Sequence, residues 1–369
     1  MGNLLPLRGI ALRGIAAALP LRRETTAECG AFRSPEDGAR FAAATGIEER
    51  RIAPPEQCAS DLCAAAAEAL VERLGWERSS VGLLVMVTQS PDHILPATAI
   101  LLQHRLGLPR TCVAYDINLG CSAFPFGLAQ VASAMGALGI PRGLLLIGDI
   151  SSRGCNPMDP SSYPLFGDAG SAIGLEINVS AGAMYIDLNS DGSGGAAICS
   201  RSYGLAGRYP VSPASLVTRE VGEDRHLRCD LNTRLSGADI FGFSIREAPA
   251  SIARVLERAG VAPAAIDHLV LHQANKMIND IVCRKSGIEA AKVLSSLRSF
   301  GNTGSASIPV TLCAALDTVR RPSRILACGF GVGLSWGSVV LELPADALLL
   351  LVETDAVFRP DLQLDLADL

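Results

Sequence analysis

Short, almost unbroken apolar runs punctuate the chain: Val81–Thr88, Cys112–Asn118, Gly143–Ile150, Ala172–Ile177, His268–His272, Arg324–Phe330 and Gly337–Leu343. Runs of this length without polar alternation suit strands covered on both faces. Between them the pattern predicts helices at Ser60–Leu74, Ala97–Leu106, Ser122–Leu138, Ile245–Ala259, Asn275–Lys285 and Ser305–Val319. Strands alternating with helices imply an α/β fold with parallel or mixed sheets. The alternation occurs twice, which predicts two halves, residues 1–178 and 179–343. Turn-rich stretches at Asn189–Gly195 and Ser202–Pro213 read as surface connections. From Pro344 to Leu369 the pattern changes to an extension that starts apolar and ends acidic, and it is expected to add a strand or helix or to stay loose.

Composition narrows the function classes. Apolar residues make up 49% and charged residues 19%, enough for a large core and too apolar for disorder. No run approaches the roughly 20 apolar residues of a membrane span. A net charge of -5, from 32 basic and 37 acidic residues, argues against a chain built to coat nucleic acid. The 11 cysteines include no CxxC pair, and Cys58 and Cys63 have poor metal-ligand spacing with no histidine nearby. Arg8 and Arg13 interrupt any signal-like apolar core, and Ile10–Leu12 reads instead as part of a first strand. The expectation is a reduced, cytoplasmic protein without a metal.

Three segments carry candidate chemistry. Cys121 follows a strand that ends near Asn118 and precedes a long helix, with Gly120 permitting a sharp turn. A thiol at a helix N-terminus meets free N–H groups and the positive end of the dipole, so its pKa is expected to fall from about 8.5. His272 ends an apolar strand just before a helix, and Asn302 lies in a glycine-flanked turn before another. Ligands of open α/β sheets bind at the carboxyl ends of strands, where Cys121 and His272 fall and where Asn302 is expected to join them. A buried cysteine, a strand-end histidine and a turn asparagine are each ordinary structural features. Together they form a coherent nucleophilic set.

The chain resembles the β-ketoacyl-acyl-carrier-protein synthase III family of the thiolase superfamily, over roughly Ile10 to Leu343. The markers are Thr45–Ala53, Ser90–His93, Asp116–Phe124, Phe166–Gly170, His272–Asn275, Gly301–Thr303 and Gly329–Gly337. The resemblance implies a thiolase-like five-layered αβαβα fold from two similar halves, and a homodimer. It implies Cys121 as acyl acceptor with His272 and Asn302 as partners, and an oxyanion hole from the backbone N–H groups of Cys121 and Val332. Its chemistry is acyl transfer from a thioester, then decarboxylative Claisen condensation with a malonyl thioester, without a cofactor. The donors are carried by coenzyme A or acyl carrier protein, and the setting is fatty-acyl or secondary-metabolite biosynthesis.

Departures from the family pattern are informative. Members that use acyl-coenzyme A clamp its adenine between Trp and Arg; Arg40–Phe41 and Pro160 stand there, so a carrier-bound donor is expected, with Phe41 the remaining ring. Leu95 replaces the aromatic that commonly gates the partner subunit's pocket, which implies a roomier pocket. Val332 interrupts a triple glycine. Lys276, Arg284 and Lys285 on one helix read either as a solvated face or as a landing patch for an acidic carrier. Asp168 is expected to hold loop backbone. Gly331–Gly337 lacks the spacing of a dinucleotide loop. Two alternatives remain at this point: acyl transfer from Cys121 to an amine or alcohol, and a non-catalytic subunit of a heterodimer.

Overall fold

The computed structural model describes residues 3–222, 226–316, 319 and 321–358. The apolar runs form two six-stranded mixed sheets of matching topology. The first sheet contains β2 (Ile10–Leu19), β3 (Leu83–Val87), β4 (Val113–Ile117), β5 (Arg142–Asp149), β6 (Ala169–Ile177) and β12 (Leu348–Glu353), in the order β12-β2-β6-β5-β3-β4. The second contains β1 (Asn3–Leu7), β7 (Met184–Ser190), β8 (His268–Leu271), β9 (Val293–Leu294), β10 (Ser323–Gly331) and β11 (Ser335–Leu343), in the order β1-β7-β11-β10-β8-β9. In each sheet three neighbouring strands run parallel, the fourth runs antiparallel to them, and the fifth is antiparallel to the fourth.

Helices make the other three layers. Strand side chains alternate between faces, so a strand covered on both sides is apolar throughout. Val85 and Val87 point to the middle layer, while Leu84 and Met86 point outward. The middle layer holds α4 (Ala123–Leu138) and the Ser307–Ala315 helix, whose Phe124, Leu128, Ile308 and Leu312 share one core with both sheets. One outer layer is α2 (Ala59–Leu74) with α3 (Thr98–Arg105), preceded in the chain by the smaller α1 (Pro35–Thr45). The other is α5 (Gly237–Ala259) with α6 (Lys276–Ser286). This is the five-layered αβαβα arrangement of the thiolase fold. Among the described residues no helix is long and apolar enough to cross a membrane.

Several elements depart from the sequence pattern. Ile10–Leu12 lies in the second strand, because Asn3–Leu7 forms a strand of its own and pairs antiparallel with β7 of the opposite half. Helix α5 begins eight residues before Ile245: Gly237 and Gly242 weaken the local signal, and burial of Phe243 against the second sheet overrides it. The Ser307–Ala315 helix starts later and stops at Leu316, which is extended; Asp317 and Thr318 of its expected end lie outside the described residues.

The C-terminal extension supplies β12, parallel to β2 at the edge of the first sheet. At the end of that strand Glu353 meets the buried Arg51, and just past it the amide of the buried Gln57 donates to the carbonyls of Thr354 and Ala356, each at 3.0 Å. Residues 359–369 lie outside the described residues.

Where helix meets sheet the fit leaves no slack. A Cβ on Gly170 of β6 would stand 2.5 Å from the Cys63 backbone nitrogen in α2. Gly170→Ala is therefore expected to lower unfolding free energy by about 1–3 kcal/mol in urea titrations. Gly136, on the exposed side of α4 with nothing within 4 Å of its Cβ position, is the control. Gly136→Ala should raise stability by up to about 1 kcal/mol through helix propensity. Equal effects at the two sites would contradict the packing described.

Candidate active site

Cys121 sits between β4 and α4. The Ala123 N–H donates to the Gly120 carbonyl at 2.8 Å, closing the turn that delivers Cys121 to the helix N-terminus. The end of β10 approaches it from the other half. A Cβ on Gly331 would lie 2.6 Å from the Cys121 sulfur, and one on Gly329 would lie 2.7 Å from the Cys121 carbonyl oxygen. Only glycine permits this approach. It brings the Val332 N–H to the sulfur, which the Cys121 N–H also reaches. Two backbone N–H donors thus converge on the Cys121 sulfur.

The expected fall in the thiol pKa is not what this environment produces. Burial pushes the Cys121 thiol up to about 11, the Val332 and Cys121 N–H groups pull against that rise, and the Asp149 carboxylate adds to it. Loss of hydration outweighs the helix N-terminus. Cys121 therefore rests as a thiol.

His272 follows β8 and is almost fully buried. Burial lowers its pKa to about 3, so the imidazole is neutral. Its Nδ1 lies 2.7 Å from the Ser307 hydroxyl, and the Phe330 ring stands edge-on at 5.8 Å between centroids. With Ser307 as the donor, Nε2 carries the ring proton and can donate into the cavity.

Asn302 lies on the seam between the halves. Its N–H donates to the Leu165 carbonyl at 2.9 Å, and its carbonyl accepts from the Gly167 N–H at 3.0 Å. The side-chain oxygen accepts from the Gly304 N–H at 3.0 Å, which leaves the NH2 group as the available donor. Asp149, at the end of β5, steadies the same turn: one carboxylate oxygen accepts from the Ser305 N–H at 3.1 Å and the other from the Gln89 N–H at 2.7 Å. Asp168 accepts from the Ala53 and Ser152 N–H groups, each at 2.9 Å, and so holds loop backbone.

Cys121, His272, Asn302 and Val332 line one cavity of about 1210 Å³. Other expected residues lie apart from it. Leu95 projects from a loop with 81% of its surface exposed, and Phe41 packs on Phe32 at 5.2 Å between rings. Lys276, Arg284 and Lys285 are exposed on α6; Lys276 pairs with Asp280, and Lys285 donates to the Ile245 carbonyl at 2.8 Å. Ser307 and Asp149 were not singled out in the sequence. Ser307 falls in the first turn of the helix expected at Ser305–Val319, just after Asn302, and Asp149 is a carboxylate near the end of the Gly143–Ile150 run; these are the signals that could have found them.

Residues 115–192, which carry Cys121, match the family described as 3-oxoacyl-[acyl-carrier-protein (ACP)] synthase III. Residues 256–343, which carry His272, Asn302 and Val332, match its C-terminal counterpart. The β-ketoacyl-[acyl-carrier-protein] synthase III of Prochlorococcus marinus is 32% identical over 350 residues, covering 90% of this chain and 96% of that protein. The chain belongs to the β-ketoacyl-acyl-carrier-protein synthase III family. The family's Synechococcus sp. member is 34% identical over 341 residues, covering 91% and 98% of the two chains. The crystal structure of the 3-oxoacyl-(acyl-carrier protein) synthase from Burkholderia xenovorans LB400 superposes with a TM-score of 0.89 at 31% identity, covering 96% and 99%.

For this synthase III family member the thiol and imidazole values set a pH dependence. Below its pKa the thiolate fraction rises tenfold per pH unit. Alkylation of Cys121 by iodoacetamide should therefore rise about tenfold per unit from pH 7 to 10, without a plateau. A rate that levels off below pH 8 would show a low-pKa thiolate and contradict the raised thiol pKa.

Proposed function

We propose that this protein is a decarboxylating Claisen condensing enzyme that works through an acyl-cysteine at Cys121. The observation that carries this reading is the convergence of a thiol, a neutral imidazole and a free amide NH2 on one cavity beside two backbone N–H donors. In the first step the Cys121 sulfur attacks a thioester carbonyl. The developing oxyanion is held by the Cys121 and Val332 N–H groups, each worth about 3 kcal/mol in such sites. The carrier sulfur leaves and takes up the thiol proton. In the second step a malonyl thioester loses CO2, and its enolate oxygen is held by the Asn302 NH2 and the His272 Nε2–H. The enolate carbon bonds to the acyl carbon, and the Cys121 sulfur departs and regains a proton. A neutral imidazole and an amide suit this role, since each donates without needing to give up its proton.

Residues 1–178 bring the nucleophile and residues 179–343 bring His272 and Asn302. The donors are acyl and malonyl thioesters, and acyl carrier protein is the carrier, with Lys276, Arg284 and Lys285 as its landing patch. A homodimer is supported by β4, an edge strand of its sheet, and by the exposed Leu95, which would reach a partner's pocket. The 11 free cysteines fit a reducing cytoplasm.

Intact-mass analysis after mixing with acyl-coenzyme A and acyl-carrier-protein donors tests the assignment. Cys121→Ala should abolish the adduct, and Cys155→Ala should leave it. His272→Ala and Asn302→Ala should retain the adduct while condensation falls by about 100-fold or more. Normal condensation by Asn302→Ala would remove the enolate role given to it.

A further inference from the structure

Ser122 and Ser335 face each other across the seam with their hydroxyl oxygens 2.7 Å apart. Both are buried, and the Ser335 hydroxyl lies 2.7 Å from the Val332 carbonyl oxygen. A carbonyl only accepts, so Ser335 donates to Val332 and Ser122 must donate to Ser335. The relay starts at the residue after the nucleophile and ends on the residue whose N–H reaches the Cys121 sulfur.

The loop needs such a hold. Val332 stands between Gly331 and Gly333, whose φ angles are 157° and 137°, and glycine flanks leave the orientation of a peptide weakly determined. On its far side the loop is tied by paired bonds between Leu334 and Asp191, at 2.8 and 2.9 Å. On its near side the Val332 side chain lies over Gly120, where a Cβ would meet it at 2.7 Å. The serine relay is a second polar tie, beside the Val332 N–H on the Cys121 sulfur, between Val332 and the start of α4.

We infer that Ser122 and Ser335 are positioning residues that set the spacing between the Cys121 and Val332 N–H groups and thereby the acylation rate. This rests on the reading of Cys121 as acyl acceptor. Neither serine lines the cavity. Each acts through the Val332 backbone, and a shift of the order of 1 Å in a donor can cost about 100-fold in rate.

The test is single-turnover acylation, read by quenched intact mass, of wild type, Ser122→Ala, Ser335→Ala, the double variant and Ser335→Thr. Iodoacetamide alkylation of Cys121 is measured alongside, because that displacement consumes thiolate but builds no oxyanion. Each alanine variant should lose at least about tenfold more in acylation than in alkylation. The double variant should be no slower than about the slower single, since both cut one relay. Ser335→Thr, which keeps the hydroxyl, should stay within about threefold of wild type. Alanine variants that acylate at the wild-type rate, or that lose alkylation and acylation in step, would overturn the inference. A wild-type chain that takes no acyl group would instead overturn the parent reading of Cys121.

Discussion

The structure of the site depends on how closely one backbone approaches one sulfur. Gly329 and Gly331 stand against Cys121 with no room for a Cβ. That contact joins the end of a strand in one half to the start of a helix in the other, and it can exist only because both sheets pack on the same central pair of helices. Moving either sheet by the width of a methyl group would separate the Val332 N–H from the sulfur. The core that spans the middle layer is therefore part of the chemistry, since it fixes the distance between groups that no covalent link holds together.

The same closeness decides the charge state of the site. In water a thiol titrates at about 8.5 and an imidazole at about 6.5, but burial drives one up and the other down. Both groups rest uncharged. A neutral pair suits a reaction whose charge appears on oxygen, first on the thioester and then on the enolate, because the donors do not spend their interactions on a resting ion pair. The backbone N–H groups, the Asn302 amide and the imidazole are oriented beforehand by Asp149, Ser307 and the Leu165–Gly167 backbone, so little rearrangement accompanies the reaction.

Much of this was legible in the sequence. Doubly covered strands are apolar throughout, and their carboxyl ends locate binding residues, so Cys121 and His272 stand out by position as well as by type, and Asn302 by its glycine-flanked turn. Elements held by long-range pairing were less visible. The Asn3–Leu7 strand belongs to the far sheet, which no local pattern encodes, and β12 joins β2 from about 334 positions along the chain, Leu348 lying against Gly14. The direction of the thiol pKa was misjudged because the helix terminus is a local feature, whereas desolvation depends on what packs over it. Ser122, Ser307, Ser335 and Asp149 stayed unremarked because a buried hydroxyl or carboxylate takes its meaning from a partner distant in sequence.

The central claim is that an acyl-cysteine is discharged by a decarboxylating carbon nucleophile. The most direct measurement is the stoichiometry of CO2 released from carboxyl-labelled malonyl carrier protein by enzyme already acylated at Cys121. The account predicts one CO2 and one β-ketoacyl thioester for each acyl group lost. Discharge of the acyl group to an amine or alcohol, with no CO2 released, would contradict it.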